Sequence, residues 1–252
     1  MTALFRAELI KHLGLRLTWV MLSIAITLSA GLTTAIAIVA GSHGSAPLGR
    51  EDLRGVLAVP GLLVAGIVFV LGVLSSAGEY RHHTITASLL VTPRRGHFLA
   101  GKYAAAAVVG TAFAGVTLIA SYVATAIVVL AKDLPVDLLT ADAVLTGLGV
   151  TIAAGLFALA GAGLGALVRS EALAIIAAVA WWFVIQGLLP GALREPGLAK
   201  YLPAAAARAL VQAGVPAVDG TVAAATGGLL IAAYVVAIAV PAVLLTKRRD
   251  VG

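Results

Sequence analysis

The stretch Val56–Ala77, VLAVPGLLVAGIVFVLGVLSSA, contains 22 residues and no charged side chain. An α-helix needs about 20 consecutive apolar residues to cross the hydrocarbon core of a bilayer. Lipid offers the backbone no hydrogen-bond partners, whereas an α-helix satisfies its own backbone groups. The stretch therefore predicts a transmembrane helix, and we expect the rest of the chain to be organised around further helices of this kind.

The composition of the whole chain agrees with this prediction. Of its 252 residues, 61% are hydrophobic and 11% are charged, whereas soluble domains are about 45–50% apolar and about 25% charged. Too few polar side chains are present to cover a surface in water, which excludes an ordinary soluble domain. The chain has no cysteine, so we expect neither a disulfide framework nor a thiolate metal site.

Five more uncharged stretches bring the number of predicted transmembrane helices to six. The predicted spans are residues 18–40, 56–77, 103–131, 143–168, 172–190 and 221–246. The predicted fold is all-α: a polytopic membrane protein that forms one transmembrane domain over residues 1–252.

Two segments outside the spans also have helical patterns. In residues 1–17, Leu9, Leu13 and Leu17 form a ridge with a spacing of four, which favours an amphipathic helix at the membrane surface. An extension of the first span is the alternative. The proline-rich residues 191–220 predict a helical turn-back before the last span, with Pro203 at a helix start.

The distribution of basic residues predicts the orientation. The N-terminus, the loop 78–102, the connection between spans four and five and the C-terminus hold 11 Lys and Arg, and the other connections hold 6. Cytoplasmic loops accumulate these residues, so both termini are predicted to be cytoplasmic. The pI near 10.0 is explained by this topology, and we do not expect nucleic-acid binding.

Several kinds of chemistry are disfavoured by the sequence. None of the predicted spans contains Asp, Glu, Lys, Arg or His, the groups that mark proton and ion pathways in carriers. Residues 96–102 have the spacing of a phosphate-binding loop, but Tyr103 stands where Ser or Thr would hold Mg²⁺, so we do not expect ATP to bind there. His82 and His83 are neighbours, and on a helix they point about 100° apart rather than at one metal ion.

The loop 78–102 is the most informative segment. Ile85, Leu89 and Leu90 lie on one side of a short predicted helix, and Pro93 ends it. A short helix with an apolar side is suited to insertion into a groove of a partner protein. Topological anchoring by the basic residues of the loop is the competing explanation.

The loop also resembles that of a known family. It has the order Glu-x-Arg-x-x-Thr, Leu-Leu, a proline followed by arginine, and a trailing lysine, carried here by Glu79, Arg81, Thr84, Leu89, Leu90, Pro93, Arg94 and Lys102. In this order the chain resembles the permease subunits of ABC transporters of the type-2 exporter class. Tyr201-Leu-Pro-Ala before the last span and Lys247-Arg-Arg-Asp-Val at the end agree, whereas His83 replaces a frequent glycine and Arg95 adds a charge.

The resemblance implies an ATP-driven exporter in a prokaryotic cytoplasmic (inner) membrane. The permease would pair with a second copy or a paralogue and with two cytoplasmic ATPase subunits. ATP and Mg²⁺ would bind in those subunits, so this chain would hold no cofactor and would not itself be an enzyme.

Residues 84–91 would form the coupling helix that ATP-driven closure of the ATPase dimer moves. The implied coupling residues are Glu79, Arg81, Thr84, Ile85, Ser88, Leu89, Leu90, Pro93, Arg94 and Lys102. The cargo would be an amphipathic small molecule, a lipid or a peptide moved out across the membrane, and membrane lipids would surround the subunit. A non-transporting scaffold or immunity protein and a secondary carrier are the alternatives.

Overall fold

The structure is a computed structural model that describes residues 2–40, 53–81, 95–134, 136–137, 140–185, 188, 196–212 and 222–248. The described residues form helices and connecting turns, with no β-strand among them. The predicted all-α class is therefore confirmed for this part of the chain.

Nine α-helices follow one another along the described ranges. They are α1 (Thr2–Gly14), α2 (Arg16–Val39), α3 (Leu53–Arg81), α4 (Arg95–Ala131), α5 (Ala141–Val168), α6 (Glu171–Val179), α7 (Pro196–Ala199), α8 (Pro203–Val211) and α9 (Ala224–Arg248). A π-helical segment, Ala180–Ile185, continues α6.

Five of these helices, α2, α3, α4, α5 and α9, are long and apolar enough to cross a membrane. They coincide with five of the six predicted spans. The predicted span 172–190 corresponds to α6 and its π-helical continuation, which form a shorter apolar helix over Glu171–Trp182. The structure therefore supports a membrane-embedded bundle, while a sixth crossing stays a prediction.

Helices α3 and α4 extend into the predicted loop 78–102 from either end. Residues 78–81 continue α3, and residues 95–102 form the first two turns of α4. The 37 residues of α4 make a helix about 55 Å long, so it extends well beyond the ~30 Å hydrocarbon core. Residues 82–94 lie outside the described residues, and with them the predicted coupling helix and the site residues Thr84, Ile85, Ser88, Leu89, Leu90, Pro93 and Arg94.

Helices α3 and α5 pack closely at the centre of the bundle. A Cβ atom at Gly161 would lie 2.0 Å from the carbonyl oxygen of Phe69, and one at Gly165 would lie 2.5 Å from that of Val73. Glycines four residues apart allow two helix backbones to approach in this way. Their role here is helix packing.

Helix α1 is separated from α2 by Leu15, whose backbone is extended. Helix α1 turns its polar side towards the bundle. Its polar residues Glu8 and His12 are buried, whereas Ile10 and Leu13 are more than half exposed. The polar side faces the bundle because α4 supplies a buried countercharge, described below.

The proline-rich connection contains α7 and α8. Helix α8 begins at Pro203, as predicted, because the fixed φ of proline and its missing N–H suit the first helical position. Helix α8 packs against α5 and α9: a Cβ at Gly149 would lie 2.3 Å from the carbonyl oxygen of Leu210, and one at Gly227 2.5 Å from that of Ala206.

Candidate functional site

A group of ionisable side chains, most of them buried, lies at one end of the bundle. Glu8, Lys11 and His12 come from α1, Glu79 from α3 and Lys102 from α4; we call these five residues the charge cluster. Lys102 is 1% exposed and Glu79 3%. Acidic and basic side chains are almost never buried to this degree unless they are paired, so the contacts of the cluster decide its role.

The ammonium group of Lys102 holds the cluster together. Its Nζ donates a hydrogen bond to Glu8 Oε2 at 2.8 Å and to the carbonyl oxygen of Ser75 at 3.2 Å, and it lies 3.1 Å from Glu79 Oε1. Two of the three donors of the ammonium group thus make hydrogen bonds, and the contact with Glu79 is an ion pair. Lys11 Nζ donates to the same oxygen of Glu79. Two carboxylates thus balance two ammonium groups.

Local sequence explains how these side chains reach one another. On an α-helix, residues three and four positions apart share a face, and Glu8, Lys11 and His12 have this spacing. Gly101 lets α1 approach α4, since a Cβ there would already lie 3.2 Å from Leu4 Cβ. Lys102 Nζ also lies 5.4 Å from the centre of the Phe98 ring, within the distance of a cation–π interaction.

His12 lies beside the charge pairs and is 3% exposed. Among the described residues neither ring nitrogen has a hydrogen-bond partner. Burial, followed by the positive charge of Lys102, lowers the pKa of His12 below its ordinary value of 6.5. His12 is therefore neutral at pH 7, and the cluster as a whole carries no net charge.

Further polar contacts join neighbouring helix ends around the cluster. Arg81, the last residue of α3, pairs with both carboxylate oxygens of Glu171 in α6 at 3.3 Å. Arg95, the first residue of α4, donates to the carbonyl oxygen of Thr246 near the end of α9 at 2.9 Å. The segments that meet at this end are those that the distribution of Lys and Arg assigns to one side.

A different contact marks the opposite end of the bundle. Lys132, just after α4, donates a hydrogen bond to the carbonyl oxygen of Ile38 near the end of α2. Lys132 is exposed, in contrast to Lys102 at the beginning of the same helix.

Of the site residues predicted from the sequence, Glu79, Arg81 and Lys102 are described. The structure brings Glu79 and Lys102 together, whereas Arg81 pairs separately with Glu171. Sequence reasoning missed the three residues of α1 that complete the cluster: Glu8, Lys11 and His12. Their shared helical face, opposite the leucines, is the signal that could have indicated them.

Two other candidate sites can be assessed from the fold. Residues 96–102, which have the spacing of a phosphate-binding loop, are helical, and Lys102 is occupied by its carboxylate partners. A phosphate-binding loop needs an irregular backbone whose N–H groups surround the phosphate. Within the described ranges, no group of three or more His, Cys, Asp or Glu residues is placed to hold a metal ion.

The chain matches no model of a known protein family, and no curated protein is significantly similar to it in sequence. A functional proposal therefore depends on the residues and their geometry.

Proposed function

We propose that the chain is the permease subunit of an ATP-driven ABC exporter of the type-2 class. The contact between Glu79 and Lys102 carries this proposal. These two residues open and close the loop pattern that resembles the family, 23 positions apart, and their charged atoms lie 3.1 Å apart in the bundle. The loop between them is therefore held at its base by a buried ion pair.

A buried pair is suited to transmit movement. Removal of one partner leaves an uncompensated buried charge and lowers the free energy of unfolding by about 3–5 kcal/mol. Separating the two charges is therefore costly, and we expect the pair to stay together when the helices move. Because Lys102 also binds Glu8, the pair joins the ends of α3 and α4 to α1. A displacement of residues 82–94 would therefore be passed to α1, α3 and α4 together.

In the proposed mechanism, two ATPase subunits bind ATP and Mg²⁺ and dock on residues 84–91 in the cytoplasm. Ile85, Leu89 and Leu90 insert into a groove of the ATPase. When the ATPase dimer closes, the coupling helix moves, and the charge cluster passes this movement to the spans. A second permease copy or a paralogue completes the pathway for an amphipathic cargo.

The proposal can be tested by the distance between the two permease copies. The chain has no cysteine, so Ile38→Cys places one spin label per copy at the half-exposed end of α2. In a reconstituted complex with the co-purified ATPase, the distance between labels should change with ATP and vanadate and stay constant with ADP.

Glu79→Ala should uncouple ATP hydrolysis from movement of the permease. In this variant the ATPase should still hydrolyse ATP, but the distance between labels should no longer change with ATP and vanadate. Thr146→Val is a matched control because Thr146 is buried away from the cluster, and it should respond as the unmodified chain does. An unchanged response in Glu79→Ala, at normal expression, would contradict the proposed role of the cluster.

A secondary carrier is the second candidate, favoured by one observation. Glu79 and Lys102 are buried ionisable groups within long apolar helices, and such groups mark proton pathways. A carrier would change the label distance after a pH step without nucleotide, whereas the proposed exporter requires ATP. A scaffold would show a constant distance under both conditions.

A further inference from the structure

An apolar groove of about 190 Å³ lies between α1, the first turns of α2 and the middle of α4. Its walls are almost wholly hydrocarbon: Leu9 and Leu13 belong to α1, Trp19 to α2, and Val108 and Val116 to α4. All but Leu9 are about half exposed, so the groove is open to the surrounding lipid. Along α4 it lies about 9–21 Å beyond the lysine of the charge cluster, which places it at the same end of the bundle.

The walls of the groove are held in place by contacts within the chain. Trp19 Nε1 donates a hydrogen bond to the carbonyl oxygen of Leu13 at 2.8 Å. The last carbonyl groups of a helix have no partner within it, so this bond both satisfies the end of α1 and fixes it on α2. Glu8 and Lys102, 2.8 Å apart, fix α1 on α4. The groove is therefore formed before any ligand binds.

Two arginines border the groove, each one helical turn before a lining residue. Arg6 precedes Leu9 on α1 and Arg16 precedes Trp19 on α2, in both cases by three positions, so each arginine shares a face with that residue. Both arginines are exposed, and within the described ranges neither has an ion-pair partner. Residues 1–50 contain one carboxylate, Glu8, which is already bound in the charge cluster. The positive charge beside the groove is therefore uncompensated.

The apolar walls and the two arginines together favour an anionic phospholipid as the occupant. Hydrocarbon walls offer water no hydrogen bonds, whereas they suit an acyl chain. A guanidinium group binds phosphate through paired hydrogen bonds. A zwitterionic phospholipid also carries phosphate, but its cationic group is repelled by both arginines. A second copy of the chain, packed symmetrically on this face, would place the same arginines near one another.

We propose that this groove binds an anionic diacyl phospholipid from the adjacent leaflet. One acyl chain lies along the groove, and Arg6 and Arg16 bind the phosphate of the head. The distribution of Lys and Arg predicts that this leaflet is the cytoplasmic one, where anionic lipids are found. Binding requires no ATPase and no transport, so this inference holds or fails independently of the proposed function.

The test measures how phospholipids with brominated acyl chains quench the fluorescence of Trp19. Trp181→Phe and Trp182→Phe leave Trp19 as the only tryptophan. The full chain is reconstituted in mixed vesicles of phosphatidylcholine and phosphatidylglycerol, of which one lipid is brominated. A basic residue near the membrane surface strengthens the binding of anionic lipid about fivefold. We therefore expect phosphatidylglycerol to bind beside Trp19 about 5-fold to 25-fold more strongly than phosphatidylcholine.

Arg16→Gln in the same background should lower this preference about fivefold. Arg81→Gln is the matched control, because Arg81 is exposed at the same end of the bundle and its loss removes the same charge, but it does not line the groove. The control should keep the preference. Equal quenching by the two brominated lipids would overturn the proposal. An equal decrease in both variants would also overturn it, since the preference would then come from the charge of the whole surface.

Photolabelling of the unmodified chain is a second measurement that needs no tryptophan replacement. Phosphatidylglycerol with a diazirine on one acyl chain is irradiated in phosphatidylcholine nanodiscs that contain the full chain, and mass spectrometry locates the labelled residues. We expect saturable labelling at Val108 and Val116, which unlabelled phosphatidylglycerol displaces at least about fivefold more effectively than added phosphatidylcholine. Equal displacement by the two lipids, or labelling that does not saturate, would contradict a specific site.

Discussion

Replacement of Lys102 by methionine tests whether the charge cluster is as buried as its geometry indicates. Methionine keeps much of the length and volume of the lysine stem and removes the ammonium group. Glu8 and Glu79 then lose the cation that lies 2.8 Å and 3.1 Å from their oxygens. Only Lys11 remains beside two buried carboxylates.

The expected decrease in the free energy of unfolding follows from this imbalance of charge. Breaking a buried ion pair by removing one partner costs about 3–5 kcal/mol, equivalent to roughly a 150-fold to 5,000-fold change in the folding equilibrium. Removing a carboxylate at the same time restores charge balance, so Glu8→Gln combined with Lys102→Met should recover a large part of the loss. The recovery measures the coupling between the two residues.

The assay is reversible unfolding in mixed micelles, in which a denaturing detergent is titrated and the fluorescence of the three tryptophans is followed. Lys132→Met is the matched control, because Lys132 is exposed at the other end of α4 and its loss should have little effect. If Lys102→Met and Lys132→Met destabilise the chain equally, the cluster is solvated and the reasoning is refuted.

Three further outcomes are expected in the same unfolding assay. Arg81→Gln removes the ion pair with Glu171 and should lower the free energy of unfolding by less than about 1 kcal/mol, since exposed ion pairs contribute little. A decrease as large as that of Lys102→Met would contradict this. Gly161→Ala should cost about 1–3 kcal/mol through overpacking against the carbonyl of Phe69, whereas Gly31→Ala, where the added Cβ meets nothing within 4 Å, should not destabilise. Because the pKa of His12 is lower in the folded chain than in the unfolded chain, the unfolded chain binds a proton there more readily, and the free energy of unfolding should fall as the pH decreases below about 6.5. His12→Gln should make the free energy of unfolding depend less on pH in this range. If His12→Gln leaves the pH dependence unchanged, other groups cause it.

Five helices that are long and apolar enough to cross a membrane could be predicted from the sequence, because each contains a long uncharged run. In lipid, such a run has one stable backbone conformation, and its length alone sets the number of crossings. The ends of the helices were harder to predict. Glu79 and Lys102 lie within the predicted loop 78–102, and in the structure they continue α3 and α4 into it, where each neutralises the other.

The orientation of α1 shows a second limit of sequence reasoning. The pattern predicts two faces, one with leucines and one with Glu8 and Lys11, but not which face meets the bundle. In water the leucines would be buried; beside lipid an exposed apolar face carries no penalty. The deciding partner is Lys102, which is 94 positions away from Glu8, and no local pattern indicates that contact.

The most direct test of the proposed permease function is purification of the tagged chain from its native membrane in a mild detergent. We expect an ATPase with Walker motifs to co-purify, and to be lost when Leu89 and Leu90 are replaced by aspartate. Leu198→Asp, at an exposed leucine on α7, is the control and should retain the ATPase. A clean preparation without any ATPase, at normal yield and in several detergents, would contradict the proposal that this chain is driven by ATP.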